Sequence, residues 1–90
     1  MMELKQTVQF KKDLKRYKHA SGMLASLKDV LGHLRESGIV PKKYRPHQLS
    51  GNYKDCMECH VQGDFLLIWV DKEKPVIKLL RLGSHSELFG

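Results

Sequence analysis

Histidine is the residue type in this chain whose chemistry stands out first. Three of the five histidines, His47, His60 and His85, fall in the second half of the sequence, where strands and loops are predicted. Imidazole titrates near pH 6.5, so one such group can take a proton and another can give one in a general acid–base reaction. Strand ends and loops are also where a scaffold presents its functional groups. These three histidines are therefore candidate catalytic residues.

Three further side chains could complete a site for cleaving RNA. Asp64 lies in the turn after His60, Arg81 lies near the end of the last predicted strand, and Phe89 lies in the tail. Cleavage requires that the 2′-hydroxyl lose a proton, that the leaving 5′-oxygen gain one, and that the phosphate charge be stabilised. Imidazoles can transfer the protons and a guanidinium fork can bind phosphate oxygens, with no metal ion required. Each residue also has a plainer interpretation as solvated surface, and Phe89 could be either a hydrophobic anchor or a stacking platform.

A Cys-x-x-Cys-His pattern at residues 56–60 suggests a different chemistry, because it matches covalent haem attachment and half of a zinc site. No further cysteine exists to complete a zinc site, and no export signal accompanies the pattern. In a strand, Cys56 and Cys59 would point to opposite faces and could not hold one metal ion or one porphyrin. We therefore expect no metal, no cofactor and two reduced thiols. The same alternation predicts which side chains face the core (Met57, Cys59, Val61) and which face outward (Cys56, Glu58, His60).

Hydrophobic spacing predicts the helices of the first half. Residues 3–8 predict a short first strand. Phe10, Leu14 and Tyr17 then recur at helical spacing and predict a helix over residues 8–20, whose other faces are rich in lysine. A second helix follows from its own apolar spacing, with Ser21 as its N-terminal cap and Gly38 at its end. Two amphipathic helices joined by a short turn predict a helical hairpin.

The second half predicts strands. Residues 38–52 contain two prolines and little periodicity, so they predict a loop. Three strands are then predicted at residues 53–61, 65–70 and 76–82, and the short turns between them demand antiparallel neighbours. The run at residues 65–70 is apolar at every position and predicts the central strand. Helices followed by strands predict an α+β fold, in a single domain over residues 1–90.

The charge balance narrows the classes of partner. Lysine and arginine number 16 against 10 aspartates and glutamates, a formal charge of +6. This excess favours a nucleic acid or an acidic protein as partner. No apolar run approaches the roughly 20 residues that a membrane-spanning helix needs, and no secretory signal is recognisable. We expect a cytoplasmic protein with no membrane partner.

Three ordered motifs in the second half resemble the YafQ branch of the RelE-like toxins. Residues 47–55 resemble the family's His-x-Leu-x-Gly-x-aromatic-Lys stretch, and the match continues through residues 60–69. Residues 81–90 are similar to the family's terminal Arg-x-Gly-(Ser/Thr)-His-x-x-Leu-Phe. The helical half agrees in length and pattern only. Three motifs in the right order and spacing are much more specific than any one of them.

The resemblance implies a fold and an activity. The fold is RelE-like, with an N-terminal strand and a helical hairpin packed on a twisted antiparallel sheet of about four strands. The activity is that of a ribosome-dependent endoribonuclease, which cleaves mRNA in the A site as the toxin of a type II toxin–antitoxin pair. The implied partners are a cognate antitoxin, mRNA on the ribosome, and operator DNA only as the toxin–antitoxin complex.

The resemblance also implies a site, residue by residue. Catalytic roles fall on His47, His60, Asp64 and His85, and phosphate- or RNA-binding roles fall on Arg81, Phe89, Phe65 and Lys54. Our hypothesis assigns the principal acid–base pair to His85 and Asp64, without deciding which group is base and which is acid. The other two histidines orient or stabilise the phosphate, and Arg81 neutralises its charge. Many relatives carry Trp where this chain has Phe65, which keeps a stacking face but loses the indole donor.

Two other classes of protein stay open on the sequence. One is a non-catalytic or gyrase-directed binding module of the same fold, as in ParE-type toxins, against which the three histidines argue. The other is a haem or metal protein, which predicts colour, a Soret band or bound zinc in the purified material.

Overall fold

A computed structural model describes all 90 residues, which form a five-stranded sheet with two long helices packed on one face. The elements in chain order are β1 (Glu3–Gln6), α1 (Val8–Arg16), α2 (Ser21–Ser37), β2 (His47–Gln48), β3 (Met57–Gln62), β4 (Phe65–Glu73), β5 (Val76–Ser84) and α3 (His85–Phe89). The predicted α+β class is confirmed. Neither long helix combines the length and the hydropathy that crossing a membrane requires.

The sheet has the strand order β1-β5-β4-β3-β2, which places β4 in the middle. Residues 66–69 of β4 are each at most 1% exposed, so the predicted central strand is confirmed. The predicted antiparallel sheet of about four strands is wrong in two respects. The two-residue strand β2 arises within the predicted loop, and β1 pairs with β5 in parallel, with Leu4 opposite Ile77. Parallel pairing is possible there because the whole intervening chain serves as the crossover.

The helix boundaries follow local capping. The side chain of Thr7 caps α1 by accepting a hydrogen bond from the backbone N–H of Phe10. The helix ends at Arg16, earlier than predicted. Gly38 ends α2 in the left-handed conformation (φ 75°), as predicted from its type. The predicted cap at Ser21 is wrong, because Ala20 occupies the cap position and makes no side-chain hydrogen bond there.

The first meander strand begins later than predicted. Residues 51–53 form a short 3-10 helix, and Asp55 has a positive φ of 76°, so the chain cannot run extended through this segment. Strand β3 therefore starts at Met57. Strands β4 and β5 are longer than predicted, reaching Glu73 and Ser84.

Two apolar clusters lie on the two faces of the sheet. The larger cluster joins α1 and α2 to the sheet and contains Cys59, while the smaller contains Cys56, Leu66, Ile68 and Leu88. The predicted opposite orientation of the two free thiols is therefore confirmed. Burial raises the pKa of both thiols, that of Cys59 to about 12.

The predicted outward exposure of Cys56 and Glu58 is wrong. These side chains are 9% and 5% exposed, respectively. Side chains from the preceding loop and from α3 pack over this face, among them Leu49, Tyr53 and Leu88. Alternation along a strand fixes which face a residue takes, but a folded-over loop decides whether that face meets solvent.

Candidate active site

Three residues on β2 and β3, which we call the strand group, lie on the sheet face away from α1 and α2: His47, Glu58 and His60. The short strand β2 sets His47 opposite Glu58. The His47 Nε2 atom lies 3.0 Å from Glu58 Oε1, and its Nδ1 atom lies 3.0 Å from the carbonyl oxygen of Arg45. A carbonyl and a carboxylate both accept hydrogen bonds, so this arrangement suits an imidazole that donates from both nitrogens and carries a positive charge.

His60 extends the strand group toward the next turn. Its ring centroid lies 6.3 Å from that of His47, with the ring planes inclined by 37°. The His60 Nδ1 atom lies 3.2 Å from the carbonyl oxygen of Gly63. Because a carbonyl can only accept, Nδ1 carries the proton in this contact, and Nε2 is left to meet a substrate.

Three further residues, which we call the tail group, lie at the end of the β4–β5 hairpin: Asp64, His85 and Phe89. The backbone N–H of His85 donates to the carbonyl oxygen of Asp64 at 3.2 Å. The rings of His85 and Phe89 are 5.1 Å apart, and Phe89 meets Tyr53 edge-on at 5.5 Å. The contact between His60 and Gly63 links the two groups, because Gly63 and Asp64 share one turn.

The tail group depends on a helix of only five residues, α3. Its cap is Ser84, whose hydroxyl accepts from the N–H of Glu87, while the Glu87 carboxylate accepts from the N–H of Ser84 at 2.9 Å. The same carboxylate accepts from the Tyr17 hydroxyl and forms an ion pair with Arg16 Nη1 at 3.3 Å. The hydrogen bond from Tyr17 and those from Ser84 lower the pKa of Glu87 to about 2. Leu88 is buried against the sheet and anchors α3 from below.

Arg81 is held by an acidic residue of α1. Its Nε and Nη2 atoms donate to the two carboxylate oxygens of Asp13 at 2.8 and 3.3 Å, and the N–H of Leu82 donates to Asp13 at 3.0 Å. Burial would raise the pKa of the fully buried Asp13, but the hydrogen bonds from Arg81 and Leu82 outweigh it and lower that pKa. The Arg81 side chain is 25% exposed.

Phe65 and Lys54 are the other two residues assigned to RNA binding, and each directly follows a residue at the tail group, Asp64 and Tyr53 respectively. Phe65 is half-buried and packs edge-on against Tyr17 at 4.8 Å, on the side of the long helices. Lys54 is exposed in the turn after the 3-10 helix of residues 51–53. Their assigned roles stay predictions.

Four residues that hold the site were not predicted from the sequence: Asp13, Glu58, Ser84 and Glu87. Glu58 stands two positions before His60 and shares its face, which was a usable signal. Asp13 lies three positions after Phe10, so an acidic residue falls on the apolar stripe of α1. Ser84-x-x-Glu87 is a capping-box pattern that predicts α3. Each signal was local and could have been found.

Candidate metal ligands are not clustered in the structure. No three His, Cys, Asp or Glu side chains are grouped so that they could hold a metal ion.

Comparison with protein families and characterised proteins gives consistent matches. A family model described as "Bacterial toxin of type II toxin-antitoxin system, YafQ" matches residues 2–90. The mRNA interferase toxin YafQ of Escherichia coli is 30% identical over 83 residues, which cover 91% of this chain and 89% of that protein. The putative toxin YafQ of Haemophilus influenzae is 37% identical over 51 residues, and the match spans 53% of this chain and 50% of that protein.

Solved structures show the same likeness. The metal-bound toxin from Helicobacter pylori superposes with a TM-score of 0.86 at 39% identity, covering 99% of this chain and 100% of that one. The toxin in the Escherichia coli DinJ–YafQ toxin–antitoxin complex gives a TM-score of 0.85 at 28% identity, covering 99% and 98%. These likenesses confirm the predicted RelE-like fold.

Proposed function

This chain belongs to the YafQ family of bacterial toxins of type II toxin–antitoxin systems, and we propose that it is a ribosome-dependent endoribonuclease that cleaves mRNA in the A site. The Escherichia coli relative, matched over most of both chains, is named an mRNA interferase toxin. The observation that carries the proposal is the continuous line of contacts from His47 through His60 and the turn at residues 63–64 to His85. Side chains along this line can contact the phosphate backbone of a bound RNA strand.

The proton transfers are assigned to the tail group. His85 is exposed and its backbone N–H bonds to the Asp64 carbonyl, and we assign the principal acid–base pair to the His85 ring and the Asp64 carboxylate. One group takes the proton of the 2′-hydroxyl, whose oxygen attacks the phosphorus, and the leaving 5′-oxygen receives a proton from a second group. Well-placed acid–base catalysis contributes roughly 10²–10⁴-fold per group.

Charge stabilisation is assigned to the strand group and to Arg81. The contacts of His47 with Arg45 and Glu58 suit a cationic ring, which can stabilise a phosphate oxygen. His60 offers its Nε2 atom to the same phosphate. Asp13 fixes one edge of the Arg81 guanidinium, which leaves the remaining N–H groups to neutralise the charge that develops on the phosphorane. No step in this scheme uses a metal ion.

The proposed protein partner is a cognate antitoxin. The toxin in the Escherichia coli complex, similar to this chain over nearly its whole length, is bound to the antitoxin DinJ. A formal charge of +6 favours an acidic or amphipathic segment that covers the basic surface and the site. Operator DNA would be bound by the toxin–antitoxin complex only. We place the toxin in the cytoplasm, where its substrate is translated.

The test is cleavage of a defined mRNA by purified protein, with and without ribosomes, using toxin either untreated or stripped with EDTA and desalted before mixing. We expect cuts at discrete codons that require ribosomes, persist with the stripped toxin and disappear in His85→Ala. The matched control is His19→Ala, which removes an exposed histidine that makes no ion pair. Intact mRNA in the presence of active ribosomes would refute the proposal and favour a gyrase-directed or binding module. Cleavage lost with the EDTA-stripped toxin and restored by added metal ion would refute metal independence alone.

A further inference from the structure

The contact between α1 and α3 points to a residue with a role that the catalytic assignments leave out. We propose that Glu87 is a positioning residue, which fixes the His85 ring by tying α3 to Tyr17 and Arg16 of α1. This inference rests on the proposed function, because it concerns the placement of the group assigned to proton transfer.

The short length of α3 explains why it needs tertiary contacts to stay ordered. A helix of five residues cannot hold itself together in water, because nucleation is costly and short helices owe their order to tertiary contacts. Beyond the cap at Ser84, the N–H of His85 bonds to Asp64 and the Phe89 ring packs against Tyr53. The buried side chain of Leu88 fixes the distance of α3 from the sheet, and the carboxylate of Glu87 joins α3 to Tyr17 and Arg16.

The carboxylate joins three separate parts of the chain. Its Oε1 atom accepts hydrogen bonds from both the Tyr17 hydroxyl and the backbone N–H of Ser84, and its Oε2 atom lies 3.3 Å from Arg16 Nη1. Leu88 alone would leave α3 free to turn about its anchor. The contact with α1 removes that freedom, because it lies on a different side of α3 from the exposed rings.

Glu87 acts through the backbone and does not touch the reacting groups. Residues two positions apart on a helix face different directions, whereas residues four apart share a side. His85 and Phe89 are four apart and their rings lie 5.1 Å from each other. Glu87 points away from them, toward α1. Its low pKa, near 2, keeps the carboxylate charged wherever the histidines titrate, so the tie holds across the working pH range.

The test combines rates with the magnetic resonance signals of the His85 ring. Glu87→Gln keeps the side-chain shape and an acceptor for the cap but removes the charge, and Tyr17→Phe removes one hydroxyl and leaves the cap intact. The matched control is Glu73→Gln, which removes the same charge from an exposed ion pair with Lys78 at the far end of the hairpin. Each protein is studied as the full chain, with melting temperature recorded.

We expect the single-turnover cleavage rate to fall roughly tenfold in Glu87→Gln, because misplacing a reacting group by about 1 Å can cost up to a hundredfold. Tyr17→Phe should lose less, because it leaves the contacts of Glu87 with Arg16 and Ser84 intact. The His85 signals should move toward those of a mobile histidine in both variants and stay unchanged in Glu73→Gln. In each variant, the apparent pKa values of the pH–rate profile should change only where the His85 ring signals change.

Three outcomes decide the inference. Wild-type rates and unshifted His85 signals in Glu87→Gln would overturn it. Equal losses in Glu73→Gln would also overturn it, because the effect would then be one of general charge. If the wild-type protein cleaves no mRNA, the proposed function fails, and the His85 signals alone still decide whether Glu87 fixes the ring. Should Glu87→Gln fail to fold, Tyr17→Phe carries the same test.

Discussion

The strand group and the tail group present the same kinds of side chain by different means. His47 and His60 project from β2 and β3, and His47 is braced by Glu58, which is 5% exposed. His85 and Phe89 project from a single helical turn, held by one buried leucine and by polar contacts that are exposed to solvent. The strand group is therefore part of the sheet, whereas the tail group lies mainly on a short helix that packs against the sheet.

This difference predicts that the two groups differ in the free energy needed to open them locally. A region with many buried contacts opens only with the whole fold, whereas a region held by few contacts opens locally at lower free energy. The strand group should therefore be fixed before RNA arrives, and the tail group should be the part that adjusts to it. Changes in the tail group should affect rate and binding with little loss of stability, while changes in the strand group should affect both.

The largest expected effect separates chemistry from stability in the tail group. His85→Ala should slow cleavage by roughly 10²–10⁴-fold, because it removes one half of the proposed acid–base pair. The melting temperature should stay within a few degrees of wild type, since the side chain is exposed. Single-turnover cleavage and thermal unfolding measure the two quantities. A large loss of stability would show that the tail group is as integral to the fold as the strand group.

Next in size is the loss of a stacking surface. Phe89→Ala should weaken binding of the programmed ribosome, since an aromatic ring stacked on a base contributes about 1–3 kcal/mol. The matched variant Phe89→Tyr keeps the ring and should bind like wild type. Titration of the cleavage rate against ribosome concentration gives the apparent affinity. If the alanine variant bound normally, Phe89 would be an anchor for α3 and not a contact for RNA.

A change in the strand group should produce a moderate loss of both activity and stability. Glu58→Gln keeps the shape but replaces a charge-assisted hydrogen bond with a neutral one, at a cost of about 1–1.5 kcal/mol. If His47 must be cationic to stabilise the phosphate, cleavage should fall roughly tenfold. The free energy of unfolding, measured in urea, and the single-turnover cleavage rate should both be lower than in the wild type. A rate loss with unchanged stability would contradict the contrast between the groups.

The smallest expected effect is a pH dependence in the tail group. The pKa of Glu87 is about 2 in the folded chain, against an ordinary value of 4.5. The stability linked to this depressed pKa is fully present above pH 4.5 and is lost as pH falls toward 2. At pH 6 the free energy of unfolding of the wild type should exceed that of Glu87→Gln by less than about 1 kcal/mol, because the contact is partly exposed.

That advantage should disappear near pH 2. Urea unfolding of both proteins at the two pH values measures the difference, in which the acid sensitivity of Asp13 cancels. An advantage that is equal at both pH values would show that the Glu87 carboxylate is not ionised preferentially in the folded state.

The sequence predicted what depends on local pattern. Three features were predicted because their signals are local in the sequence. They are the apolar run of β4, the leucine spacing of α2 and the glycine that ends α2. The short turn after β3 made it possible that His60 and Asp64 lie near one another, but periodicity could not show that His85 joins them. The ordered motifs then identified the family, which composition and periodicity alone could not do.

The sequence analysis did not predict what depends on distant segments. The pairing of β1 with β5 leaves no periodic trace in either strand, and β2 is too short to have a period. The burial of Glu58 depends on a loop and on α3 folding over the sheet, so alternation alone gave the wrong exposure. The hold of Asp13 on Arg81 joins residues 68 positions apart, and no local rule links them.

The parallel pairing of β1 with β5 also governs the kinetics of folding. Residues 3–6 bond to residues 76–79, and Thr7 bonds to the carbonyl of Leu79, so this edge of the sheet closes a very long loop. Such closure is slow, because its entropic cost precedes the contacts that reward it. The helical hairpin can form while β5 is still being synthesised, but Arg81 and His85 lie on or after that strand. Under the proposed function, we therefore expect a nascent chain to be inactive toward the ribosome that makes it, with activity beginning only when β5 has paired and α3 has formed.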